Sequence, residues 1–177
     1  MYVFATQWPP ALKATVSRGD VPFGKVFSCF MAASMLGSSA FGRLARRLPA
    51  ERVLAGALAL AAGSMSAALT AGRRSPAALL GCFLAFEAAV GMYFPAMGTL
   101  RSEHLPDSHR NIMMSMFEVP MNLLVVGTML GAKRLGVRGS LACSAVALQI
   151  AFLVQARFCF AGRRQPKALA AATEAQK

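Results

Sequence analysis

Two carboxylates standing alone in long apolar stretches constrain this chain more than any other feature. Glu87 is the sole charge in residues 77–100, and Glu118 is the sole charge in residues 111–132. Each stretch reaches the roughly 20 mainly apolar residues that a bilayer-spanning helix needs. Backbone crossing hydrocarbon must satisfy its own N–H and C=O groups, which a helix does. An ionisable group at that depth is costly and faces a partner, a cavity or a pathway inside a bundle. The pattern implies an all-α, multi-pass membrane helical bundle with no β-sheet.

Composition supports this reading. Hydrophobic residues make up 56% of the chain and charged residues 15%, against about 25% charged in a soluble domain. Mean hydropathy is +0.50. The net charge of +12 raises the question of nucleic acid. The cations, however, lie between the apolar blocks, where loops meet a membrane surface. They form no basic stripe interleaved with aromatics. The lipid bilayer is therefore the expected partner, and nucleic acid is not. Cys29, Cys82, Cys143 and Cys159 all fall in apolar segments without a CxxC pair and read as small packed residues. No cofactor or metal is expected. His104 and His109, with Asp107, fit no common zinc spacing and read as a solvated loop. No Ser-His-Asp order, P-loop or Rossmann fingerprint occurs, which argues against an enzyme.

The apolar blocks come in series. Residues 1–8 are apolar but too short to span, and Pro9-Pro10 predicts a helix end there. They lack the basic start and small-residue cleavage site of a signal peptide. Residues 26–42 are free of charge until the flanking arginine. They place Ala33 with Gly37, and Ser34 with Ser38, four apart. That spacing lets helix backbones approach closely in lipid. Residues 53–72 carry no charge and no polar face, which predicts a peripheral helix. In 77–100, Gly91, Pro95 and Gly98 predict a bend, and Pro120 predicts a kink in 111–132. Residues 139–156 form another charge-free span. Helices are expected over about 1–10, 23–45, 52–72, 76–101, 108–133 and 138–161, with a mixed-charge loop at 101–110. Residues 1–162 would form one transmembrane lobe, and 163–177 a disordered polar tail. Alternating loops place Lys13, Arg18, Arg73, Arg74, Lys133, Arg134 and Arg138 on one side. The other side receives Arg43, Arg46, Arg47, Arg52, Arg101, Arg110, Arg163, Arg164, Lys167 and Lys177. The richer side, with the C-terminus, is expected to be cytoplasmic, and the membrane to be the plasma membrane.

Several polar residues are candidates for contact with a solute. Asn111, Ser115, Glu118 and Asn122 recur at helical spacing and share one face. Such a stripe lines a cavity or makes interhelical hydrogen bonds, the latter contributing about 0.6–2 kcal/mol each. Glu87, Gly91 and Phe94 share a face of their helix. Glu87 either takes up and releases a proton, coupling solute movement to a gradient, or bonds to a neighbouring helix. Tyr93 offers a hydroxyl to a solute or anchors at the interface.

The connector Gly42-Arg43-Leu44-Ala45-Arg46-Arg47-Leu48-Pro49 resembles the loop signature of the major facilitator superfamily, G-x-L-a-D-R-x-G-R-[RK]. In that superfamily the loop lies on the cytoplasmic side after the second helix of each half. Gly42, Arg43, Arg46 and Arg47 are the candidate loop residues; Arg46 stands where the signature has Asp, and Pro49 where it has Gly. Longer runs resemble helices of the molybdate-anion transporters. Met1-Tyr2-Val3-Phe4 with Trp8-Pro9-Pro10 resembles the seventh, and Phe30-Met31-Ala32-Ala33-Ser34-Met35-Leu36-Gly37 the eighth. Phe86-Glu87-Ala88-Ala89-Val90-Gly91-Met92-Tyr93-Phe94-Pro95 is similar to the tenth, and Asn111-Ile112-Met113 with Phe117-Glu118-Val119-Pro120-Met121-Asn122 to the eleventh.

The resemblance implies a six-helix C-terminal half of a twelve-helix fold, with its first helix truncated. It implies a carrier of molybdate or a similar oxyanion, working by alternating access with a missing N-terminal six-helix lobe. The alternatives are a non-transporting integral membrane scaffold and a carrier of another small solute. The family pattern F-R-[VI]-P-[LM]-N has Arg where this chain has Glu118. An Arg there suits an oxyanion, whereas a carboxylate opposes one unless it is neutralised.

Overall fold

A computed structural model describes residues 2–16, 21–71, 75–104, 119, 122–123, 126–127, 136, 139–157 and 159. Four helices lead the chain: α1 Tyr2–Lys13, α2 Phe23–Leu44, α3 Ala50–Ala71 and α4 Pro76–His104. A fifth, α5, covers Gly139–Arg157. Among the described residues there is no strand.

Among the described residues, three helices are long and apolar enough to cross a membrane: Ala50–Thr70, Pro76–Glu103 and Gly139–Arg157. At 22 residues α2 has the length, but Lys25, Ser28, Ser34, Ser38, Ser39 and Arg43 dilute its hydropathy. At 12 residues α1 is too short. The expected helix over 108–133 lies outside the described residues apart from a few helical positions. Among the described residues there are five helices, three of which qualify as spans.

The helix end expected at Pro9-Pro10 does not occur; α1 runs through both prolines to Lys13. A proline removes one N–H donor but leaves helical φ accessible. The residues beyond are held by burial, with Ala11 5% and Leu12 4% exposed. The helical pattern closes with Ala14 N–H donating to Pro10 O at 3.0 Å. Packing outweighs the lost donors, as it does for prolines in transmembrane helices, where neighbouring helices compensate.

The centre of the bundle is α4, which packs on α1, α2 and α3. Being apolar nearly all round, it suits a helix with neighbours on several sides. Phe4 of α1 sits in a nest of rings, 4.7 Å from Phe86, 5.1 Å from Phe83 and 5.8 Å from Phe30 between centroids. Trp8 continues the contact, edge-on to Phe30 at 5.1 Å and to Phe23 at 5.8 Å. Each such pair contributes about 0.5–1.5 kcal/mol beyond its buried area. The opposite side of α2 exposes Phe27, Met31, Met35 and Leu36, an apolar surface suited to hydrocarbon.

The peripheral position expected for residues 53–72 gives way to a closely packed one. On α3, Val53, Leu54, Ala57, Ala61, Met65 and Ala68 are buried, and α3 packs along α4. A different stretch of its surface meets α5. Gln149 Nε2 donates to Ser66 Oγ at 3.0 Å, and Cys159 Sγ lies 3.4 Å from Glu51 O. These pairs run in opposite directions along the chain, so α5 is antiparallel to α3. Small Ala side chains are what let α3 nest between two helices.

At its far end α4 extends to His104. Arg101, Ser102, Glu103 and His104, expected in a loop, are therefore helical. Thr99 Oγ1 donates to Pro95 O at 3.0 Å, and Ser102 Oγ to Thr99 O at 2.8 Å. These bonds fasten hydroxyls to carbonyls of the last turns.

Candidate functional site

The crossing of α2 over α4 brings two backbones into direct contact. A Cβ built on Gly37 would overlap the Ala88 carbonyl oxygen, and would lie 2.8 Å from Ala88 C and 3.1 Å from its Cα. A Cβ on Gly91 would overlap the Ser34 carbonyl oxygen, 2.7 Å from Ser34 C and 2.9 Å from its Cα. Each helix thus presents one glycine to the backbone of the other. Of the two small-residue pairs expected in α2, the crossing uses one member of each, Ser34 and Gly37. Ala88 and Gly91 of α4 supply the matching pair.

Glu87 lies on this segment of α4, next to Ala88 and one turn before Gly91. It is 5% exposed, and its Oε2 has no hydrogen-bond partner among the described residues. Around it stand Phe86, Ala89 and Val90, all buried. A buried carboxyl oxygen without a partner costs about 1–3 kcal/mol on protein mutational scales. Such a group suits uptake of a proton or a cation.

Tyr93 is half-buried and meets the Phe94 ring edge-on at 5.8 Å between centroids. Six residues past Glu87, it sits about 9 Å further along the axis and about 120° round the helix. The two side chains therefore do not share a face. Phe94, expected on the Glu87 face, is 57% exposed. Asn122 is helical and exposed. Asn111, Ser115 and Glu118 lie outside the described residues, so the expected polar stripe meets the structure at Asn122 alone.

At the end of α2, Gly42 and Arg43 occupy the last turn, and Arg46 and Arg47 the tight link to α3. Ala45 N–H donates to Phe41 O and Leu48 N–H to Leu44 O, both at 2.8 Å, so the link continues the helical winding. Arg43, Leu44, Arg46, Arg47 and Leu48 line a cavity of about 660 Å³. The sequence identified these cations; the two leucines among them went unremarked, although their spacing of four signals a shared face. Among the described residues no cluster of three or more His, Cys, Asp or Glu could hold a metal ion.

Comparison with known proteins follows the same outline. A family model described as sugar transporters with 12 transmembrane segments matches residues 1–93. A molybdate-anion transporter of Xenopus tropicalis is 36% identical over 131 residues, covering 70% of this chain and 28% of the relative. Those of Takifugu rubripes and Danio rerio are 36% and 35% identical over 131 residues, covering 70% of this chain and 26% of each relative. The chain spans little more than a quarter of the length of these relatives. No solved structure matches it. This is an integral membrane protein, and it belongs to the major facilitator superfamily, in the family that the twelve-span model and the molybdate-anion transporters define.

Proposed function

We propose that this chain forms one lobe of a carrier that moves molybdate or a similar small oxyanion across a membrane by alternating access. The observation that carries the reading is the buried Glu87 carboxyl, its Oε2 without a hydrogen-bond partner among the described residues, on the central helix of a transporter-family bundle. In this proposal Glu87 takes up a proton and couples solute movement to a proton gradient. Tyr93, Asn111, Ser115, Glu118 and Asn122 contact the solute. The glycine crossing lets α2 and α4 move as one rigid pair against an opposing six-helix lobe. Residues 1–162 are the transmembrane lobe and 163–177 a cytoplasmic tail, in the plasma membrane. The names of the relatives support the oxyanion.

The test is uptake of labelled molybdate into proteoliposomes holding the complete carrier that contains this chain, with and without an imposed proton gradient. Glu87→Gln is expected to abolish the response to the gradient while leaving the folded protein intact. An unchanged response would remove Glu87 from coupling. Proper membrane insertion with no uptake under any gradient would favour the non-transporting scaffold.

A further inference from the structure

Given the reading of Glu87 as a proton carrier, on which this rests, we propose that the aromatic nest of α1, α2 and α4 is a watertight plug. It closes Glu87 off from one end of the bundle, so that the proton enters and leaves from the other end. Phe4 joins Phe30, Phe83 and Phe86 at ring-centroid distances of 5.8, 5.1 and 4.7 Å. Phe30 and Phe83 each stand seven residues after the first residue of their helix. Further along both helices comes the crossing, where Gly37 meets Ala88 and Gly91 meets Ser34. The helices α2 and α4 therefore run in the same direction and begin at the same end. Trp8, one turn on from Phe4, meets Phe23, the first residue of α2, so α1 finishes at that end as well. Glu87 follows Phe86 and precedes Ala88. It thus sits between the ring nest and the crossing.

The two directions away from Glu87 differ in chemistry. Toward the shared end, the buried residues described on α1, α2 and α4 are all hydrophobic, from Phe4 to Leu12 on α1 and from Leu79 to Phe86 on α4. Ser64 of α3 is buried too, but its hydroxyl donates to Ala61 O at 3.0 Å. A proton crosses a membrane protein along hydrogen-bonded side chains and waters, and an apolar constriction stays dry. Toward the other end polar groups recur. Ser34 and Tyr93 are half-buried. The Gly91 carbonyl lacks its usual helical donor, because Pro95 has no N–H. Among the described residues, the charges on the helices packed against α4 stand near helix ends: Lys13 of α1, Lys25 and Arg43 of α2, Glu51 and Arg52 of α3. On α4 itself Arg101, Glu103 and His104 lie in the last turn. The thiols of Cys29 and Cys82 and the phenol of Tyr93 are ordinarily neutral near physiological pH. None of these charges stands in the middle turns to relay a proton through the rings, so exchange is left to the crossing side.

The test is proton leak through the complete carrier that contains this chain, in proteoliposomes loaded with a pH-sensitive dye, under a pH step and without molybdate. The unaltered carrier should leak no faster than protein-free vesicles. Phe30→Ser, which puts a small hydroxyl in the nest, should leak above that rate. Adding Glu87→Gln to Phe30→Ser should return the leak to the protein-free rate, because the path runs through the carboxyl. Phe30→Leu keeps the seal apolar and should not leak. Phe27→Ser, on the exposed side of α2, should not leak either. Trp8→Ala, at the rim of the nest, supplies the same readout if Phe30→Ser misfolds. Folded Phe30→Ser and Trp8→Ala carriers that stay tight would overturn the plug, as would a leak that survives Glu87→Gln or one that Phe27→Ser matches. The plug and the coupling role fail separately. Tight Phe30→Ser and Trp8→Ala carriers, with gradient-driven uptake still lost in Glu87→Gln, remove the plug alone. An unchanged uptake response in Glu87→Gln removes the proton-carrier reading itself.

Discussion

Gly91→Ala puts the α2–α4 crossing under direct test. The added Cβ would stand 2.7 Å from Ser34 C, against about 3.4 Å for ordinary contact, and would overlap the Ser34 carbonyl oxygen. The helices must separate by at least about 0.7 Å to accept it. Relief by a rotamer change is closed, because the obstructing atoms are backbone. Overpacking costs about 1–3 kcal/mol in general, and a backbone collision belongs at the upper end. Alanine returns up to about 1 kcal/mol of helix propensity. The net expectation is a loss of about 2 kcal/mol, roughly thirty-fold in the unfolding equilibrium. Gly63→Ala and Gly98→Ala are matched controls, since a Cβ at either meets nothing within 4 Å; both should be neutral or slightly stabilising. Gly37→Ala should behave like Gly91→Ala. The double variant should lose less than the two single losses added, because one opening of the crossing serves both. Unfolding by SDS in mixed micelles, read by Trp8 fluorescence and helical circular dichroism, supplies the measurement. Trp8 is the single tryptophan and packs edge-on to Phe30 of α2. Equal stability of Gly91→Ala and Gly63→Ala would refute the close crossing.

Three further outcomes follow from the packing and the sequence. Phe4→Ala removes a ring that meets Phe30, Phe83 and Phe86; a loss of about 3–5 kcal/mol is expected in the same SDS titration. Gln149→Ala deletes the 3.0 Å bond to Ser66 between α5 and α3, with an expected loss near 0.6 kcal/mol, the average for interhelical bonds in membranes. In the complete carrier, Glu118→Arg should raise molybdate uptake at neutral pH, or remove its dependence on acid, by replacing like-charge repulsion with attraction. Unchanged uptake and an unchanged pH profile would place residue 118 outside the anion path.

Hydropathy and the lone carboxylates were enough to establish an all-helical membrane protein. The reason is physical: hydrocarbon leaves a crossing backbone few ways to satisfy its polar groups, so long apolar runs commit to helices. Motif resemblance pointed to the family. Local signals misled where distant residues compete with them. Pro9-Pro10 reads as a stop, yet burial of Ala11 and Leu12 carries α1 onward. Residues 53–72 read as peripheral for want of a charge or a polar face, yet their small side chains suit a nested helix. Glu87 could be located within an apolar helix from the chain alone. That its Oε2 is buried without a partner among the described residues, one turn from a glycine pressed on Ser34, could not. Sequence spacing determines which residues share a helix face; only the packing of helices determines what that face meets.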